Sequence, residues 1–133
     1  MHDVTAAQTI AYTVLEAAQE REAERVERIN LALGAMTMLD PDQLEFWLEQ
    51  ILRGTIAEGA EIQIEQLALQ VRCGACGYEG EIEVPEDPIY HLMPFVPACP
   101  QCGSEELEVL SGDACVVRAI RVTAAEETTD ERT

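Results

Sequence analysis

Apolar positions along the chain mark out two helices and about three strands. From Val4 to about Glu20, the residues Val4, Ala7, Ile10, Ala11, Val14, Leu15 and Ala18 recur three and four apart, the spacing of one helix face. Asp3 stands where an N-cap would accept a free amide of the first turn, and the stretch REAERVER (21–28) reads as the charged end of this helix. In RINLALG (28–34), Ile29, Leu31 and Leu33 alternate with Asn30 and Ala32, which predicts a strand closed by Gly34. Helical spacing returns in LDPDQLEFWLEQILRG (39–54), with Leu44, Trp47, Leu48 and Ile51 on one face. Asp40 can cap that helix, Pro41 suits its first position, and Gln43 could complete a capping box.

EIQIEQLALQVRC (61–73) reads as strand, but its apolar parity changes between Ile64 and Leu67, which predicts a bulge or break. ACVVRAIRV (114–122) is the last strand, and the polar tail from residue 124 to 133 reads as disordered. Between the last two strands the pattern changes in kind. The segment from Cys73 to about Leu110 holds five of the six prolines and little helical periodicity. The predicted fold is therefore α+β: two helices on a small mixed three-stranded sheet, with a zinc-ribbon-like domain inserted. The expected boundaries are 1–70 plus 111–123 for the discontinuous α/β domain, 71–110 for the insert and 124–133 for the tail.

The insert carries the clearest chemistry. CGACG (73–77) and CPQCG (99–103) share the form C-x-x-C-G, so Cys73 and Cys76 lie on one turn and Cys99 and Cys102 on another. Two intervening residues let a tight turn aim both thiolates at one ion, and Gly77 and Gly103 tolerate the dihedrals such a turn needs. Four soft ligands make a closed tetrahedral site, read first as structural zinc, with rubredoxin-like iron or a redox dithiol as alternatives. A closed site of four cysteines leaves no open position for catalysis. A lobe with so few large apolar residues also needs a staple. Cys115, the fifth cysteine, alternates along a strand and reads as a small buried hydrophobe.

Composition narrows the function classes. Hydrophobic residues make up 47% of the chain, enough for a real core. Twenty-six acids face eight bases, all arginine, for a net charge of −18. Such a field repels phosphate backbones and favours cations and basic partners, and it also suits a solvated surface in a salty cytoplasm. No apolar run approaches a membrane span of ~18 residues. No basic segment followed by an apolar run suggests a secretory signal, and paired cysteines without a signal suggest a cytoplasmic metal protein. There is no Gly-rich phosphate loop and no recognisable nucleophile arrangement, so the expectation is a protein that is not an enzyme and has no catalytic residue.

The chain begins MHD. Histidine is too large for removal of the preceding methionine, so Met1 is expected to stay. The α-amine of Met1, the deprotonated amide of His2 and the His2 Nδ1 could then form fused chelate rings that suit Ni(II) or Cu(II). The amide or carboxylate of Asp3 could fill a fourth place. Taken alone, a terminal histidine is more often a solvated side chain. The only other histidine, His91, lies in DPIYHLMPFVPACP (87–100), where a loop or packing role is the simpler reading.

Together these features resemble the HypA/HybF family of hydrogenase nickel-insertion proteins. The match runs from the Met-His start through RINLALG, DPDQLEFWLEQILRGTIAEGAEIQIE, the two C-x-x-C-G turns with ACPQCGS at the second, and the closing strand, ending near Val122. The long insert is similar to the archaeal form. The resemblance implies a nickel metallochaperone with an α/β nickel domain and a zinc domain. Nickel would be held at Met1, His2 and Asp3, with His91 as a further candidate, and structural zinc at Cys73, Cys76, Cys99 and Cys102. It implies work with a nickel-handling GTPase, HypB, delivery to the [NiFe]-hydrogenase large subunit, and for some members service to urease. The chain would be a monomer or homodimer without nucleic-acid or membrane partners. The family usually reads Met-His-Glu where this chain has Asp3; a backbone ligand would be indifferent to the change, a carboxylate ligand would not. The alternative is a zinc-ribbon interaction module with no nickel role. A thiol enzyme using Cys115 and His91 is a weaker rival, since nothing in the sequence places the two together.

Overall fold

The computed structural model describes residues 3–85 and 87–124, with the backbone alone at 88, 91 and 124. Its elements, in chain order, are α1 (Asp3–Glu20), β1 (Ala23–Gly34), a 3-10 turn (Ala35–Thr37), α2 (Pro41–Ile51), β2 (Glu61–Leu67), β3 (Leu69–Cys73), β4 (Glu79–Ile82), a second 3-10 turn (Pro88–His91), β5 (Leu107–Ser111) and β6 (Cys115–Ala124). They form two three-stranded sheets, ordered β2-β1-β6 and β4-β3-β5. The described chain packs as two compact units, residues 3–32 with 39–65 and 116–124, and residues 33–38 with 66–115.

In the first unit α1 buries Ala6, Ala7, Ile10, Ala11, Val14 and Ala18, most of the face its spacing predicts, while Val4 is exposed and Leu15 half-buried. Small residues dominate this face, which lets α1 pack closely; the larger core volume comes from Ile29 and Leu31 of β1 and from Leu44, Leu48 and Leu52 at α2. Asp40 caps α2 as expected, its side chain accepting the Asp42 amide at 2.9 Å, with Pro41 in the first turn. Burying a leucine such as Leu48 completely removes it from water at a gain of roughly 1.5–3 kcal/mol, so this face anchors the helix.

Two local expectations need correction. REAERVER is not the end of a helix. Glu22 takes a left-handed conformation (φ 52°) that turns the chain out of α1, and β1 starts at Ala23. Val26 is fully buried and its amide donates to the Ile56 carbonyl at 2.9 Å, while Arg25 donates to the Glu58 carbonyl and Arg28 pairs with Glu61. The charges that masked the strand in the sequence are thus partly taken up by partners around buried Val26. Asp3, in turn, is not an N-cap: it is already helical, and its carboxylate accepts the Asp40 amide at 3.4 Å, linking the start of α1 to the cap of α2.

The parity change between Ile64 and Leu67 falls inside β2, and the change of sheet follows it, at Ala68. β2 ends at Leu67 and joins β1; β3 begins at Leu69 and joins β4 and β5. The second unit is built on β3, which pairs antiparallel with both neighbours and buries Leu69, Val71 and Cys73 on one face. β4 and β5 went unread in the sequence because they are only four and five residues long and largely exposed, with little apolar alternation. Residues 33–38 join this unit through Gly34, whose amide donates to the Ala114 carbonyl at 2.9 Å, and Met36, whose amide donates to the Gly112 carbonyl at 3.0 Å. Gly112 sits at φ 90°, and a Cβ there would strike the Ala68 carbonyl oxygen, so only glycine fits where these backbones cross. No described helix is long and apolar enough to cross a membrane.

Candidate metal centre

Each cysteine pair sits on the same small loop, made twice. The Cys73 amide donates to the Tyr78 carbonyl at 2.7 Å, and the Gly77 amide returns to the Cys73 carbonyl at 3.0 Å. In the second loop, the Cys99 amide donates to the Ser104 carbonyl at 2.8 Å, and the Gly103 amide to the Cys99 carbonyl at 2.8 Å. Gly77 and Gly103 carry positive φ of 82° and 80°, the dihedrals that each C-x-x-C-G turn was expected to demand. The β3–β5 pairing places the first loop: Cys73 is opposite Leu107, and the Gly74 amide donates to the Glu106 carbonyl at 2.8 Å.

The two loops bring all four sulfurs within 4.8 Å of one another. Cys73 Sγ lies 3.6 Å from Cys102 Sγ, and Cys76 Sγ lies 3.6 Å from Cys99 Sγ. Thiolates at ~2.3 Å from a tetrahedral zinc stand about 3.8 Å apart, so the cluster has the right size. None of the cysteines is in a disulfide. Cys73 and Cys99 are buried and Cys76 and Cys102 exposed, so each loop offers one inner and one outer ligand.

The backbone prepares the inner sulfurs for charge. The Ala75 amide points at Cys73 Sγ and the Gln101 amide at Cys99 Sγ, both at 3.4 Å. These donors follow from the repeated C-x-x-C-G loop. The backbone donor at Cys76 leads the causes that lower the Cys73 thiol below its ordinary value. At Cys99 burial opposes ionisation, but the amides of Cys102 and Gln101 together with the neighbouring thiols lower it to about 7. At Cys76 the Tyr78 amide favours the thiolate, yet burial and the three neighbouring thiols outweigh it and push the group up to about 12. Cys102 is likewise raised, the donor at Ser104 being outweighed. Four thiols this close cannot all ionise without a cation between them. The donor set is all sulfur and closed, which fits structural zinc and offers no seat for a substrate.

Met1 and His2 lie outside the described residues, Asp3 begins α1, and His91 closes the second 3-10 turn. Cys115 is half-buried at the start of β6, and burial raises its thiol.

An α+β unit and a four-cysteine unit on one short chain define a class of small metal-handling proteins. Residues 1–122 match the family model described as "Hydrogenase/urease nickel incorporation, metallochaperone, hypA". The chain is 37% identical over 122 residues to the hydrogenase maturation factor HypA of Methanothermobacter thermautotrophicus, covering 92% of this chain and 97% of that protein. It is also 37% identical over 132 residues to the HypA of Methanopyrus kandleri, covering 92% and 93%. The solution structure of the Ni metallochaperone HypA from Helicobacter pylori superposes with a TM-score of 0.67 at 15% identity, over 93% of this chain and 99% of that one, and so shares the fold. The chain belongs to the HypA family of nickel metallochaperones for hydrogenase maturation.

Proposed function

We propose that this chain is a carrier that binds Ni(II) at its amino terminus and hands it to the [NiFe]-hydrogenase large subunit, with zinc at Cys73, Cys76, Cys99 and Cys102 holding the second unit together. The observation that carries this reading is a family match that begins at residue 1 and includes the Met-His start. The proposed nickel donors are the Met1 amine, the His2 amide and imidazole, and Asp3, with His91 as a further candidate. Because the Asp3 carboxylate already accepts the Asp40 amide, the Asp3 backbone amide is the better donor, which also accommodates aspartate in place of the usual glutamate. Residues 1–70 with 111–123 form the nickel domain in this reading, and 71–110 the zinc domain.

Binding through an amide expels its proton, so nickel affinity rises with pH, and protonation of the imidazole or amine releases the ion. No step requires catalysis; handover is ligand exchange. The GTPase HypB is the proposed working partner, the urease machinery a further one, and the cytoplasm the compartment. Calorimetric titration of Ni(II) into zinc-loaded protein tests the site. His2→Ala, or one extra residue before Met1, should abolish tight nickel binding while zinc content stays constant. Unchanged nickel affinity in His2→Ala would sink the assignment and leave a zinc-ribbon interaction module as the reading.

A further inference from the structure

The segment between the cysteine pairs displays apolar side chains that the fold does not use. Leu92 is 89% exposed, Val96 58%, Met93 50% and Ile89 47%, all within eight residues. Four large apolar groups at this density exceed the scattered single residues of an ordinary surface. The segment is nevertheless built. Asp87 caps the 3-10 turn by accepting the Ile89 amide at 3.0 Å, and the amides of Leu92 and Met93 both return to the Ile89 carbonyl. Tyr90 and Phe95 meet edge to face, 5.4 Å between ring centroids, closing the loop across its base. The aromatic pair supplies the internal contact and the aliphatic residues are left outward. A loop ordered in this way loses little entropy on docking, and methionine adapts to an uneven partner.

Charge says what kind of partner. Eight acids and no arginine or lysine lie between Cys73 and Leu110. The apolar loop therefore projects from a stretch of one sign in a chain of net charge −18. A second copy would bring the same sign to the contact, and a phosphate-bearing membrane or nucleic acid would be repelled. We propose that Ile89, Leu92, Met93 and Val96 form a docking loop for a partner protein that presents apolar residues on a basic surface. Apolar burial supplies affinity, and the acids of the same stretch supply steering and rejection of acidic surfaces. This goes beyond the nickel reading and does not rest on it.

The test uses the full-length, zinc-loaded protein and two synthetic amphipathic helices with the same leucine face, one otherwise lysine and the other otherwise glutamate. The leucine–lysine peptide should bind, and Leu92→Ser with Met93→Ser should weaken it by about tenfold or more. Zinc content and the unfolding midpoint should not change, because both side chains are already exposed; the single variant Leu92→Ser repeats the test with the least risk to folding. The leucine–glutamate peptide should not bind. Equal binding by wild type and variant would overturn the proposal, since it means that charge alone acts or that the chain's own first unit covers the loop. Equal binding of both peptides would also overturn it. So would self-association in sedimentation, or binding to phosphatidylglycerol vesicles, that the double variant abolishes.

Discussion

At the scale of single residues, the cysteines and Asp3 make opposite points. The two cysteine loops could be read from the sequence because their geometry is local: two residues between thiols and a glycine after them suffice to shape each one. Ionisation of the set is a different matter, because it depends on four groups from two loops. With Cys99 lowered to about 7 and Cys76 raised to about 12, capture of a metal near neutral pH must expel the protons of Cys76 and Cys102. Acid therefore weakens binding, and Cys99 adds a further proton below about pH 7. Competition against a chelator should show log zinc affinity rising by about two or more per pH unit; a flat profile would contradict the all-thiol site. Cys73→Ser should lose stoichiometric zinc. Asp3 could not be read correctly, because the local cap pattern competes with an amide 37 residues away that only folding brings near.

At the scale of elements, the helices were the most legible parts, since each has an apolar stripe and α2 has its stop and start residues. Asp40 serves two ends at once: its side chain caps α2 and its amide reaches Asp3. Asp40→Ala should cost about 1 kcal/mol by loss of the cap, seen as a lower midpoint in urea with an unchanged slope. Asp40→Asn should recover most of it, and a variant as stable as wild type would remove the cap from the account. The strands were less legible. β1 was half hidden because Val26 is the single large apolar residue among the charges at its start, and β4 and β5 because exposed strands in a small lobe need little apolar pattern. The change of parity between Ile64 and Leu67 falls inside β2, just before the break at Ala68, and it does not say that the chain leaves one sheet for another.

At the scale of the whole molecule, charge dominates. A net charge of −18 on 133 residues repels itself in the compact state. The described ion pairs, such as Arg28–Glu61, Arg72–Glu108 and Arg118–Glu65, join exposed side chains and offset little of that repulsion. Raising sodium chloride from roughly 0.01 to 1 M shortens the screening length from about 30 to 3 Å, so the thermal midpoint should rise across that range. A midpoint that falls would show that the attractive pairs outweigh the repulsion.

The sequence by itself determined the α+β class, the two matching cysteine turns, the two helices and the likeness to HypA, because these rest on short-range spacing, composition and motif order. Only the tertiary structure decided where β1 begins, that residues 61–73 serve two sheets, and that Asp3 holds the amide of Asp40. Each of these depends on backbone groups finding partners far along the chain, and a backbone amide leaves no trace of its partner in the order of side chains.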